Sequence, residues 1–295
     1  MSSLSMNCTA KLNTSSQTCT QRERHWPAFL ALGFAPSEGK TALTQMRFQG
    51  PLRVQRAFYP EGRVCHVYLL HPPGGLVSGD DLNIEVTCEP GSHALLTTPS
   101  AGKIYRADSS GGVQRQQVNV TVRDAACEWL PMETIVFDGA HGKLSTRINL
   151  HGDAKFIGSD VFCLGRPKSA LPFKSGRIEQ RLALYHNDMP LLLERQILAA
   201  DDPLIDALSG FDNKLVSGVL VAVGIDKPTQ AVELLRCELE SCAKTLAVTE
   251  RLGVIVVRYL GDCSEQAQIQ LRQCWQRLRP LLFGIAPCAP RIWNT

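Results

Sequence analysis

Leu82-Asn83-Ile84-Glu85-Val86-Thr87-Cys88 alternates apolar and polar side chains without a break, and Pro90-Gly91 ends the run. Successive side chains of a strand point to opposite faces, so this stretch reads as a strand with one face buried and one wet. The same period returns in Val118, Val120 and Val122, in Leu52 with Val54, and in Ile148 with Leu150. Between these runs stand Gly50-Pro51, Pro60-Glu61-Gly62, Pro72-Pro73-Gly74-Gly75 and Gly111-Gly112. Each supplies a turn, because glycine tolerates positive φ and proline fixes φ while removing a donor. Many short strands at close, regular spacing predict a mainly β body over about residues 26–200, built as a layered sheet or a helical coil of strands. No repeat in the sequence is strong enough to establish a solenoid.

Toward the C-terminus the period changes. Val232, Leu235, Leu239 and Cys242 recur at helical spacing in residues 229–243, with Thr229 as the expected cap. Ala267, Leu271, Trp275 and Leu278 form an apolar stripe in residues 264–280. Ser264 is its expected N-cap, and Arg277 with Arg279 suits its C-terminal end. Val254 to Leu260, rich in β-branched residues, reads as a buried strand between the helices. Residues 201–295 thus form a small α/β flank with two helices on the β body, within one unit of residues 25–295. Residues 1–24 are rich in Ser, Thr, Asn and Gln, lack an apolar core, and read as a disordered polar leader.

A chain of 295 residues with 44% hydrophobic and 20% charged residues can build a core without staples. A net charge of +3 is too small to indicate nucleic-acid binding. No apolar stretch approaches the roughly 18 residues of a membrane helix. The 11 cysteines are scattered, form no CxxC pair and fit reduced thiols in a cytoplasm, most of them as small buried hydrophobes.

Elements of the common catalytic motifs are missing: there is no GxSxG, HExxH or GxGxxG. Gly139-Ala140-His141-Gly142-Lys143-Leu144 lacks the spacing and the terminal hydroxyl of a phosphate loop. Cys65 and His66 are adjacent on a strand and face opposite ways, so they do not readily ligate one ion. Asp201, Asp202, Asp206 and Asp212 read as a solvated loop or short helix, or as an acidic face for a cation or basic partner. Residues 71–106 carry most information. His71-Pro72-Pro73-Gly74-Gly75 must turn sharply and allow close backbone approach, Asp80-Asp81 opens a strand, and Lys103-x-Tyr105-Arg106 offers charge and a stacking plane at a strand end. By residue chemistry this is either a recognition loop or a constrained core turn.

HPPGGLVSGDDL (71–82) followed by LLTTPSAGKIYR (95–106) resembles the best-known stretch of the UreD (UreH) urease accessory protein family. Gly50-Pro51-Leu52 with Val54-Gln55-Arg56 and Tyr59-Pro60-Glu61-Gly62, the EWLPMETI segment at 128–135, and the closing Pro290-Arg291-Ile292-Trp293-Asn294-Thr295 are similar to further family segments, in the same order. Two departures stand out. Met132 replaces the glutamine expected there, and Pro167 to Pro172 intervene before Phe173 without the expected carboxylate.

The resemblance implies a cytoplasmic, non-catalytic urease maturation chaperone. It would bind apo-urease and the helical partner UreF, which recruits the GTPase UreG, and would convey Ni²⁺ through an internal passage without a permanent cofactor. Exchangeable transit favours oxygen ligands over thiolates. The expected path is therefore Asp80, Asp81, Glu128, Glu133 and Asp138. His71, Gly74, Gly75, Lys103, Tyr105, Arg106, Arg291 and Trp293 are expected to bind partners or hold the motif together. The competing readings are a stand-alone metal-binding protein and a hydrolase on a β scaffold.

Overall fold

The computed structural model describes residues 25–109 and 111–294, so the expected leader lies outside the described residues. β1 (Trp26–Ser37) and β2 (Lys40–Gln49) form a hairpin closed by Glu38 and Gly39, both at positive φ as a tight two-residue hairpin turn requires. β3 (Arg53–Val54) and β4 (Cys65–Leu70) follow.

The chain then winds. One circuit runs through β5 (Asp80–Cys88), β6 (His93–Thr97) and β7 (Gly102–Ile104). The next runs through β8 (Gln114–Arg123), β9 (Ala126–Trp129) and β10 (Thr134–Val136). A third adds β11 (Ala140–His151) and β12 (Lys155–Leu164). Corresponding strands pair in parallel: β5 with β8, β8 with β11, β6 with β9, β9 with β12, and β7 with β10. Each circuit takes roughly 30 residues, within the range of solenoid repeats. The body is a helical coil of strands, one of the two arrangements the sequence left open.

β13 (Gly176–His186) and β14 (Met189–Ala199) close a seven-stranded sheet in the order β14-β13-β11-β8-β5-β1-β2. Its inward rows are in register: Leu32, Val86, Val120, Ile148 and Leu184 form one, and Leu30, Ile84, Val118, Thr146 and Leu182 the next. The C-terminal segment supplies β15 (Val216–Val223), α1 (Pro228–Glu238), β16 (Leu246–Arg251), β17 (Val254–Gly261) and α2 (Ser264–Phe283). Its three strands extend the second, ten-stranded sheet, which has β16-β17-β15-β12-β9-β6-β4-β3 in order, with β10 beside β12 and β7 beside β10 off that path. One core lies between the two sheets. A second lies between the ten-stranded sheet and the helices, where Ala267, Leu271, Trp275 and Leu278 are buried as the stripe predicted.

Three details differ from expectation. Helix α1 begins at Pro228 rather than behind Thr229, because proline's fixed φ suits the first helical position. Ser264 is the first residue of α2 rather than its cap; Cys263 occupies the cap position without a side-chain bond. Arg279 does not serve the helix end. It is wholly buried, while Arg277 pairs with Glu238 of α1 at 2.6 Å.

Candidate functional site

The His71–Gly75 loop turns as its composition requires. Gly74 adopts φ +77° and donates its N–H to the His71 carbonyl at 2.8 Å. A Cβ on Gly75 would sit 2.6 Å from the Tyr105 ring and 2.8 Å from the Lys103 carbonyl oxygen, so only glycine lets the two segments approach. Leu76 and β7 are bonded through Leu76 N–H to Lys103 O at 2.7 Å and Tyr105 N–H to Leu76 O at 3.0 Å. This junction forms the wall of two cavities.

Three cavities of about 430, 380 and 370 Å³ follow one another through the β body. The first is a mouth lined by Trp26, Pro51, His71, Gly75, Asp80 and Tyr105. It shares His71, Gly75 and Leu82 with the second, which lies between the two sheets. The second shares Asp160 with the third, which opens between β14, β17 and the 200–214 loop. The polar lining comes from breaks in otherwise apolar rows. Gln116 and Gln180 face inward in the row that holds Leu82 and Leu144, and Thr146 interrupts the row of Leu30 and Val118. Thr98 and Thr134 line the middle cavity, and Glu194 and Gln196 the far one.

Asp160 is the centre of this arrangement. On β12 the residues Phe156, Gly158, Asp160, Phe162 and Leu164 share the face toward the seven-stranded sheet, so a carboxylate sits in an apolar row. Gln180 Nε2 donates to Asp160 Oδ2 at 2.7 Å. Burial pushes the Asp160 carboxyl above its ordinary value, against the hydrogen bonds from Gln180 and the Val161 backbone, and no cationic side chain offsets it. At the mouth, burial lowers the His71 imidazole, with the nearby Asp80 opposing, which favours the neutral ring that can accept a cation.

Of the expected path residues, only Asp80 lines the cavities. Its Oδ2 also accepts the Val77 N–H at 2.8 Å, a turn cap. Asp81 faces away to His25, 3.4 Å off. Asp138 is held by Arg106, by the Lys174 and Ser175 N–H groups at 2.9 and 2.7 Å, and by Ser175 Oγ at 2.9 Å; it organises a turn. Glu133 lies behind the wall against Gln268 Nε2, 3.3 Å away.

Glu128 is fully buried on the helix side of the ten-stranded sheet. Trp275 Nε1 donates to it at 2.6 Å, Arg279 reaches both of its oxygens, and His93 Nε2 lies 2.8 Å away. Arg279 also bonds Glu61, which contacts His66 at 2.6 Å. Burial would raise Glu61, but hydrogen bonds from His66 and Arg279 outweigh it and hold the carboxyl at about 2. Glu128 is likewise held low, by His93 and Arg279 against its burial. Both acids lock α2 onto the coil.

Among the remaining motif residues, Lys103 lines the middle cavity and Tyr105 the mouth, where it packs edge-on against Phe137. Arg106 is committed to Asp138 and Arg291 is exposed. Trp293 plugs the core: its Nε1 donates to Thr97 Oγ1 at 2.9 Å and its ring stands edge-on to Trp275. Sequence reading passed over Asp160, Gln116, Gln180, Glu194 and Arg258. For Asp160 the signal was present, as an acid within the period-two face of Phe156 and Phe162.

Fold and site together define a β-coil protein whose two sheets enclose a run of largely apolar cavities with single polar groups in their walls. The family model for the UreD urease accessory protein matches residues 27–294. The chain is 49% identical to the urease accessory protein UreD of Chromohalobacter salexigens over 92% of this chain and 90% of that one. It is 48% identical to that of Marinobacter nauticus, covering 92% and 94%. With that of Pseudoalteromonas translucida it shares 46% over 99% and 98%. The chain belongs to the UreD urease accessory protein family.

Proposed function

We propose that this chain is a non-catalytic chaperone of urease maturation that conveys Ni²⁺ along its interior, with Asp160 as the central station. Membership of the family supports the accessory role. The observation that carries the conduit is a carboxylate placed where two cavities meet, with an amide partner and no cationic one. A buried acid is costly when ionised and unpaired, so an arriving dication both displaces its proton and supplies the missing charge. The other lining groups are His71 and Asp80 at the mouth, then amide and hydroxyl oxygens with Lys103 in the middle cavity, then Glu194 paired with Arg258. Such spaced, single ligands bind a dication weakly enough to pass it on.

UreF, UreG and apo-urease are the partners this role requires, with the protein working in the cytoplasm. The test is genetic and analytical. Asp160→Asn is placed in a host lacking the wild-type gene, and urease nickel content is measured beside urease protein. The expected result is urease present with its nickel greatly reduced. Full nickel loading by the variant would remove Asp160 from the path and the conduit reading with it.

A further inference from the structure

The far cavity is bounded by two elements from different sheets. β14 is the edge strand of the seven-stranded sheet, and β17 belongs to the ten-stranded one. Glu194 on β14 and Arg258 on β17 both line the cavity and reach across it to each other. Arg258 Nη1 lies 3.3 Å from Glu194 Oε2, and Nη2 makes the closer contact to Oε1. The other cation of the lining, Arg195, is committed to Glu179 at 2.9 Å, where Arg181 joins it at 2.6 Å. The mouth therefore presents Glu194 already neutralised by Arg258, while Arg195, the next residue of β14, turns to the opposite face and its Glu179 partner. A dication leaving Asp160 meets no free carboxylate there.

We propose that the Glu194–Arg258 pair is a charge gate: Arg258 closes the far mouth to cations until a divalent cation takes its place on Glu194. This rests on the conduit reading above and concerns its regulation. The energetics suit an exchange. A partly exposed ion pair is worth little, because water screens both members and two long side chains must be held in one geometry. A dication attracts the same carboxylate with twice the charge. The Arg258 side chain is 50% exposed, so on release its guanidinium can turn to solvent. Glu194, with its side chain 20% exposed, remains in the cavity wall.

The experiment follows the arrival of radioactive nickel in apo-urease, using the full maturation complex built with wild-type chain, Arg258→Gln, the reversed pair Glu194→Arg with Arg258→Glu, or Asp160→Asn. Thermal melts check that each variant folds. The gate predicts that Arg258→Gln raises the initial rate by roughly tenfold, the scale on which lining charge alters ion entry. It also predicts faster stripping of nickel from the complex by a chelator. The reversed pair restores a closed mouth and returns the rate toward wild type. If Asp160→Asn blocks arrival while Arg258→Gln runs at the wild-type rate, there is no gate and the conduit stands. If neither variant changes arrival, the conduit fails and the gate with it. A slow Arg258→Gln that the reversed pair does not rescue marks Arg258 as structural and overturns the proposal.

Discussion

Asp160 and Glu128 are both enclosed acids, and their neighbours give them opposite roles. Glu128 is bonded by Arg279, Trp275 and His93, and it is held ionised. Asp160 has Gln180 and a cavity on either side, and its proton is held more tightly than usual. A raised carboxyl contributes stability at acid pH that is lost as pH rises through its folded value. Asp160→Asn is therefore expected to be more stable than wild type near neutrality. The gap should close on acidification, as read from denaturant midpoints over a pH series.

Arg279→Met behaves in the opposite sense, because it strands Glu61 and Glu128 without their cation. The expected cost is about 3–5 kcal/mol at neutral pH. In wild type the Glu61 contribution is present above its ordinary 4.5 and lost as pH falls toward about 2. In Arg279→Met that acid-side loss should shrink, which the same denaturation series measures. Met132, where the family pattern led us to expect glutamine, places its sulfur 3.0 Å from Arg272 Nη2, while Arg272 Nε is buried without a partner. A thioether is a weak acceptor, so Met132→Gln should gain about 0.5–1.5 kcal/mol, seen as a higher melting temperature.

At the scale of elements, the junction of the His71–Gly75 loop with β7 does two jobs with one contact. It fixes the strand end and forms the wall between the mouth and the middle cavity. Gly75→Ala must push against a carbonyl as well as the Tyr105 ring, so it should destabilise by about 1–3 kcal/mol, as overpacking does. Thermal melts test the first effect, and reduced urease nickel tests the accompanying distortion of the passage. Periodicity located α2, because a stripe every three or four residues is a local signal. Its caps were misplaced because Ser264 begins the helix rather than preceding it. Arg279 was misread for a related reason: a charge near a helix end looks like a dipole partner unless the acids that surround it, distant in sequence, are known.

At the scale of the whole molecule, parallel pairing between successive circuits makes most contacts non-local. It also puts a residue of one circuit directly beside its counterpart in the next. That stacking sets single polar residues from separate strands into the walls of successive cavities, the last of which is spanned by Glu194 and Arg258. The sequence by itself determined the strand period, the two C-terminal helices, the buried stripe of α2 and, through motifs in order, the resemblance to the family. These are readable because alternation, helical spacing and turn chemistry act between near neighbours. The period-two face of β12 already carried Asp160 among apolar residues, but which acids meet a cavity was decided by tertiary structure. Asp160, Gln180 and Glu194 come from different strands, and only the register of the coil sets them along one cavity. The same register sends Glu128 to the helices and leaves Asp138 holding a turn.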